Sequence, residues 1–237
     1  MKKFLSILLL ATLAMTASAQ YQVTNSNFEQ WESVSGGEEP LHWSSFLTAS
    51  GSYASTVKAE QLVKSTDVRS GATGIYCAKI TARSILGNIA QGNMTTGQIN
   101  GGSMSASDAS GNYNWTNTSN SDFNMPFTGR PDALRVWIKY YGKSSSNPYG
   151  KISAFLHGDG YYQDPNTANT GQLSEKIAEA RKSDFKSTDG WVQMTVPFVY
   201  SSNSRPSYAL VSFATNVTPG GGDASDYMFI DDMEMLY

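Results

Sequence analysis

The chain has 237 residues, 16% of them charged, with 17 Lys and Arg against 20 Asp and Glu and a formal net charge of −3. A mildly acidic chain without a basic run argues against nucleic acid or anionic lipid as a partner, because such binding draws on clustered cations and released counterions. One cysteine, Cys77, excludes an intrachain disulfide and a thiolate metal cluster, and at this length a single hydrophobic core stabilises a domain without them.

The start, MKKFLSILLLATLAMTASAQ, places Lys2 and Lys3 ahead of a short apolar run, Phe4 to Met15, followed by Ala17-Ser18-Ala19. A positive start, an apolar stretch and small residues form the pattern of a secretory signal, so residues 1–19 are expected to be removed before Gln20. Their removal takes two lysines away and moves the balance from −3 to −5 over the remaining 218 residues. The run is short of the ~20 residues that a transmembrane helix needs, and no second such stretch follows. The mature chain, 20–237, is therefore expected as one domain outside the inner membrane, in the periplasm or at the cell surface, with no membrane span.

Beyond the signal, Gly, Ser, Thr and Asn are abundant and helix formers sparse, and short alternating runs lie between turn residues, which predicts an all-β fold. Strands are predicted near 23–31, 42–46, 52–63, 73–83, 133–142, 150–157, 190–199, 206–215 and 226–237, a set that fits a two-layer antiparallel β-sandwich. Cys77, in IYCAKI, is expected as a buried and unreactive small hydrophobe. Residues 84–132, rich in small polar residues, read as a long excursion between two halves of the sandwich, anchored by Tyr113, Trp115 and Phe123. Long ordered loops of this kind carry function more often than not. One short inserted helix is predicted over 171–182, GQLSEKIAEARK, where Leu173, Ile177 and Ala180 share a face at helical spacing.

The stretch RVWIKYY, 135–141, alternates Arg135, Trp137, Lys139 and Tyr141 with Val136, Ile138 and Tyr140. Through the turn-rich GKSSSNPYG it leads to KISAFLH, and the two are expected to pair as a hairpin. Alternation then puts Leu134, Val136, Ile138, Tyr140, Ile152, Ala154 and Leu156 toward the core. The opposite face collects Arg135, Trp137, Lys139, Tyr141, Phe155 and His157, with Lys151 and Ser153 beside them. Rings that stack on a pyranose and cations that donate to its hydroxyls are the mix expected of a sugar site. Trp115, Tyr161 and Tyr162, in loops, are placed to flank it. The same face has a second reading, in which the excursion covers it and the cation and aromatic pairs stabilise the sheet alone.

A glycosidase requires two carboxylates flanking one bond. Asp159, Asp164, Asp231, Asp232 and Glu234 are available, but HGDGYYQDP reads first as a turn, and no serine elbow or zinc-type histidine pair occurs beside the two histidines, His42 and His157. Binding is the economical reading. Three functions of different class stay open: a non-catalytic carbohydrate-binding domain, a glycan-active hydrolase using paired carboxylates, and a cell-surface assembly or adhesion subunit with cell-surface proteins as partners.

The segments NSNFEQWES, EEPLHWSS, GNIAQGNMTTGQI, PFTGRPDALRVWIKYY and YMFIDDMEMLY, in that order, resemble the secreted bacterial family named "putative carbohydrate metabolism domain", over about Asn25 to Tyr237. The resemblance implies a jelly-roll β-sandwich related to carbohydrate-binding modules, with a glycan as partner. By match to the ends of such jelly rolls it also implies a structural calcium held by Glu29 with Asp231 and Asp232, hard oxygen donors that suit that ion. Read from the residues alone, Glu29 caps a turn or pairs with a cation and one Asp faces water at a strand end.

Overall fold

A strand that buries every second side chain is stable only when another layer covers that face. The computed structural model, which describes residues 21–166 and 175–237, has two such layers. The first sheet runs in the order β14 (Val192–Pro197), β10 (Ala133–Tyr141), β17 (Tyr227–Leu236), β4 (Cys77–Thr81) and β3 (Leu62–Ser65). The second runs β15 (Val199–Tyr200), β13 (Lys176–Phe185), β11 (Gly150–His157), β16 (Tyr208–Ala214) and β7 (Asn93–Thr95). Every ladder in both is antiparallel, so the chain is the two-layer β-sandwich that its alternation predicts.

Leu134, Val136, Ile138 and Tyr140 of β10 point into the core with Ile152, Ala154 and Leu156 of β11, as alternation requires. The two strands do not form a hairpin. β10 pairs with β14 and β17, whereas β11 pairs with β13 and β16, so the chain crosses from one sheet to the other between them. The core faces therefore meet across the sandwich, and the outer faces of β10 and β11 lie on opposite sides of the molecule.

The helix predicted over 171–182 is overturned from Lys176 onward, where β13 runs between β11 and β15; 171–174 lie outside the described residues. Ala, Glu and Lys favour helix weakly, and two flanking strands that take up the backbone hydrogen bonds outweigh that preference. Residues 84–132 are also more regular than a loop. They hold β6 (Asn88–Ala90), which pairs with β5 (Arg83–Ile85) around Leu86 and Gly87, both at positive φ as a two-residue hairpin turn demands. They also hold β7, then β8 (Gln98–Gly101) and β9 (Asn112–Trp115), which with β12 (Gln163–Asp164) form a small sheet.

The start of the chain departs from prediction as well. Of 23–31 only Trp31 is in a strand, β1 (Trp31–Val34), paired with β2 (Gly37–Pro40); Asn25 and Phe28 have positive φ, which breaks extension. The segment still lies beside the last strand. The Gln22 amide donates to the Met235 carbonyl at 2.8 Å and accepts the Met235 N–H at 2.7 Å, and the Met233 N–H donates to the Ser26 carbonyl at 2.9 Å. Stretch 42–46 contributes an isolated bridge from Ser44 to Thr95, and 52–63 holds one turn of helix, α1 (Ala54–Val57), before β3. Cys77 is buried as expected, and burial pushes its thiol up to about 12.

Trp43 closes the core at this end, 5.2 Å edge-on from Phe28 and 6.0 Å from Phe213, its indole N–H donating to the Thr24 carbonyl at 3.3 Å. Trp43→Ala should therefore lower unfolding free energy by about 3–5 kcal/mol, read from urea denaturation, because the ring is buried and its space cannot collapse between two sheets.

Candidate ligand-binding cleft

The outer face of the second sheet is covered where the small sheet β12–β9–β8 lies against it. Polar side chains make the join. Asn93 of β7 donates to Asn114 of β9 at 2.9 Å, Asn114 donates to Ser212 of β16 at 3.0 Å, and Ser212 donates to Thr95 at 3.0 Å. Phe155, Tyr162 and Leu210 form a small apolar cluster beneath. A cleft of about 520 Å³ opens beside this join. The second sheet contributes Lys151, Phe155, Glu179 and Arg181, the small sheet Asn100, Tyr113 and Asp164, and the β5–β6 hairpin Ile85 and Ile89.

Its charges form one linked chain. Asp164, whose side chain is 5% exposed, accepts from Lys151 Nζ at 2.7 Å and Arg181 Nη2 at 3.1 Å. Arg181 Nε donates to Glu179 at 2.7 Å, Lys176 Nζ donates to the other Glu179 oxygen at 3.0 Å, and the guanidinium lies over the Phe155 ring at 5.3 Å. Burial would raise the Asp164 carboxyl, but Lys151 and Arg181 outweigh it and hold the group below the usual carboxylate range. Glu179 is held low in the same way, burial being outweighed by Arg181 and Lys176. Both carboxylates are ionised.

The residues predicted to share one ligand face divide between two. Phe155 is 3% exposed and lines the cleft beneath Arg181. His157, expected to donate to sugar hydroxyls, is fully buried, its ring stacked 5.0 Å from Tyr162 and 5.7 Å from Tyr208, with Nε2 2.8 Å from Thr116 Oγ1. Tyr162 is buried at 2% and lines the cleft, whereas Tyr161 is exposed and packs against Trp115 at 5.6 Å on the small sheet.

Arg135, Trp137, Lys139 and Tyr141 lie on the far side, on the outer face of the first sheet. Arg135 pairs with Glu234 at 2.5 Å and Lys139 with Asp67; the Arg69 guanidinium covers Trp137 at 4.5 Å, and Tyr141 stacks on Tyr227 at 5.2 Å. Asn114, Glu179 and Arg181 were not singled out from sequence. Reading 171–182 as helix hid the alternation that sends Glu179 and Arg181 to one face, and alternation was the signal that could have found them.

Glu29, Asp231 and Asp232 come near one another at the start of the chain and β17. Asp232 pairs with Arg69 at 2.5 Å and accepts from Thr73, while Glu29 accepts the Tyr76 N–H at 2.7 Å. Asp231 is 1% exposed with Oδ2 unpartnered, and burial, then Asp232 and Glu29, push its carboxyl up to about 7. Among the described residues no group of three His, Cys, Asp or Glu side chains is gathered to hold a metal ion. Glu29 and Asp232 each have a protein partner, and Asp231 keeps one oxygen without a partner among the described residues.

No protein-family model and no curated protein sequence matches the chain. Solved structures are similar in fold. A "putative glycoside hydrolase" from Bacteroides thetaiotaomicron is 18% identical with a TM-score of 0.60, over 82% of this chain and 62% of its own. A second "putative glycoside hydrolase", from Bacteroides vulgatus, is 19% identical with a TM-score of 0.59, over 87% and 89%. The chain thus spans less than two thirds of the first and most of the second, and at these identities the likeness is one of fold.

Two measurements follow from the titratable groups. Burial depresses His157 to about 4, whereas an unfolded histidine protonates near ~6.5. The unfolded state therefore binds more protons between these values, and stability present above ~6.5 is lost as pH falls toward 4, by roughly 2–3 kcal/mol. His157→Gln should flatten this acid limb in denaturation curves taken at each pH. For the acids, calcium held by Glu29, Asp231 and Asp232 should make the melting temperature higher in excess calcium than in chelator, and equal temperatures would dispose of the ion.

Proposed function

We propose that the cleft beside the small sheet binds a carbohydrate chain without cleaving it, and that the protein does so outside the inner membrane after loss of residues 1–19. The observation that carries this is the lining. Amide and cationic donors, Asn100, Lys151 and Arg181, stand beside rings and aliphatic groups, Tyr113, Phe155 and Ile89, in a space of about 520 Å³. Such a mix gives directed hydrogen bonds to hydroxyls and an apolar wall for the faces of sugar rings. The description of two proteins of similar fold as "putative glycoside hydrolases" supports a carbohydrate as the ligand class.

Hydrolysis of a glycoside needs one carboxyl that keeps its proton to protonate the leaving oxygen, next to a second that is ionised. The cleft has two carboxylates and both are held ionised by lysine and arginine. The acid that burial pushes up to about 7, Asp231, is on β17 in the other sheet. This separation favours a binding domain over the hydrolase.

A glycan array followed by calorimetry on the best ligand tests the reading. Binding should be saturable, Tyr113→Ala should weaken it about tenfold, near 1.4 kcal/mol, and no new reducing ends should appear on prolonged incubation. Release of reducing ends that Asp164→Asn or Glu179→Gln abolishes would replace this reading with the hydrolase; an array without any ligand would remove the carbohydrate reading.

A further inference from the structure

The charges of the cleft are not balanced. Lys151, Lys176 and Arg181 face only Asp164 and Glu179 among the charged side chains that line it, leaving one positive charge in a chain whose total is −3. Of the five, the Asp164 side chain is the least exposed, at 5%, and the Arg181 side chain the most, at 38%.

Arg181 is also fixed in direction. Its Nε and Nη2 are tied to Glu179 and Asp164, and its plane rests on the Phe155 ring, while Nη1 has no protein partner among the described residues. A guanidinium carries five donors in a rigid fork that matches a carboxylate or other oxyanion. With two sides of the fork already held, a ligand anion meets the remaining edge without having to order a free side chain. Lys151 and Lys176, each paired with one carboxylate, retain further N–H groups on either side.

The opposite face of the molecule shows the contrast. There Arg69, Arg135 and Lys139 each have a carboxylate of their own, Asp232, Glu234 and Asp67, and stack on the sheet's rings or its edge. Those cations are matched one for one. Lys79, on the same face, lies over the Tyr227 and Phe229 rings and has no ion pair among the described residues, so what marks the cleft is a guanidinium already oriented by two acids with one edge left over.

We propose that the cleft selects an acidic glycan, one bearing a carboxylate or a sulfate, with Arg181 as the donor that faces the anion and Lys151 and Lys176 flanking it. The inference rests on the carbohydrate reading above and narrows it to a substrate class. A carboxylate and a sulfate present the same oxyanion edge, and separate probes distinguish them.

The test uses the full mature chain, titrated calorimetrically with oligogalacturonate for the carboxylate, a sulfated galactan oligosaccharide that has no carboxylate for the sulfate, and the neutral ligands of the glycan array. At least one acidic probe should bind ten times or more tighter than any neutral glycan, with affinity falling as salt rises. Arg181→Gln should remove that preference, and Lys143→Gln, an exposed charge outside the cleft, should leave it intact. If Arg181→Gln does not fold, by its melting curve, Lys176→Gln takes its place with a smaller loss expected. Neutral glycans binding as well as acidic ones would overturn the acidic preference and leave the carbohydrate reading standing, whereas no binding by any glycan would overturn both. Equal loss in Lys143→Gln and Arg181→Gln would assign the preference to the general field of the protein and overturn the site.

Discussion

The central strands of the second sheet, β11 and β16, are almost wholly buried on both faces, and the cleft depends on that constraint. The inner side of β11 packs Ile152, Ala154 and Leu156 into the core, as a sandwich strand must. Its outer side carries Ser153, Phe155 and His157, all nearly inaccessible, next to Ser212 and Thr95 on its neighbours. Polar groups withdrawn from water need partners, because an unpaired buried donor or acceptor costs about 1–3 kcal/mol. Asn114, Thr116 and Asp164 of the small sheet and its flanks supply them. The excursion between the two halves of the sandwich is thus a cover, held by hydrogen bonds that only a folded sheet can present. Where this cover meets Lys151 and Arg181, the cleft opens.

Electrostatics then follow from depth. Taking a carboxylate out of water is unfavourable unless cations stand beside it, and removing one partner of such a group costs more than the pair contributes. Asp164 has two cations within hydrogen-bonding distance and stays ionised; Asp231, with Oδ2 unpartnered and two acids nearby, keeps its proton to about 7. The same residue type is thus shifted in opposite directions in the two sheets.

The outer face of the first sheet shows how a composition suited to ligand binding serves packing instead. Arg69 on Trp137, Lys139 on Phe229 and Lys79 on Tyr227 place cations over ring faces 4.5–5.0 Å from their centres. Each contact adds modestly at such partly exposed sites, about 0.5–1 kcal/mol, and Asp232, Asp67 and Glu234 pair with Arg69, Lys139 and Arg135. Rings and cations in alternation are therefore ambiguous in one dimension. Their meaning depends on whether acids on adjacent strands match them.

Alternation by itself predicts strands near 133–142, 150–157, 190–199, 206–215 and 226–237, where the structure has them, and for the first two which side enters the core, because period two is a local property of the chain. It determined that Phe155 and Lys151 share a face, and both reach the cleft. It did not determine which strand each one pairs with. Hydrogen-bonded neighbours of β10 and β11 come from residues up to about a hundred positions away, and adjacency in sequence suggested a hairpin where the chain changes sheet. Residues 176–185 carry helix formers, and only the presence of β11 and β15 on either side makes them a strand and turns Glu179 and Arg181 toward Asp164. Periodicity sets which side chains share a face, whereas the partner across that face is set by long-range pairing, which no local pattern encodes.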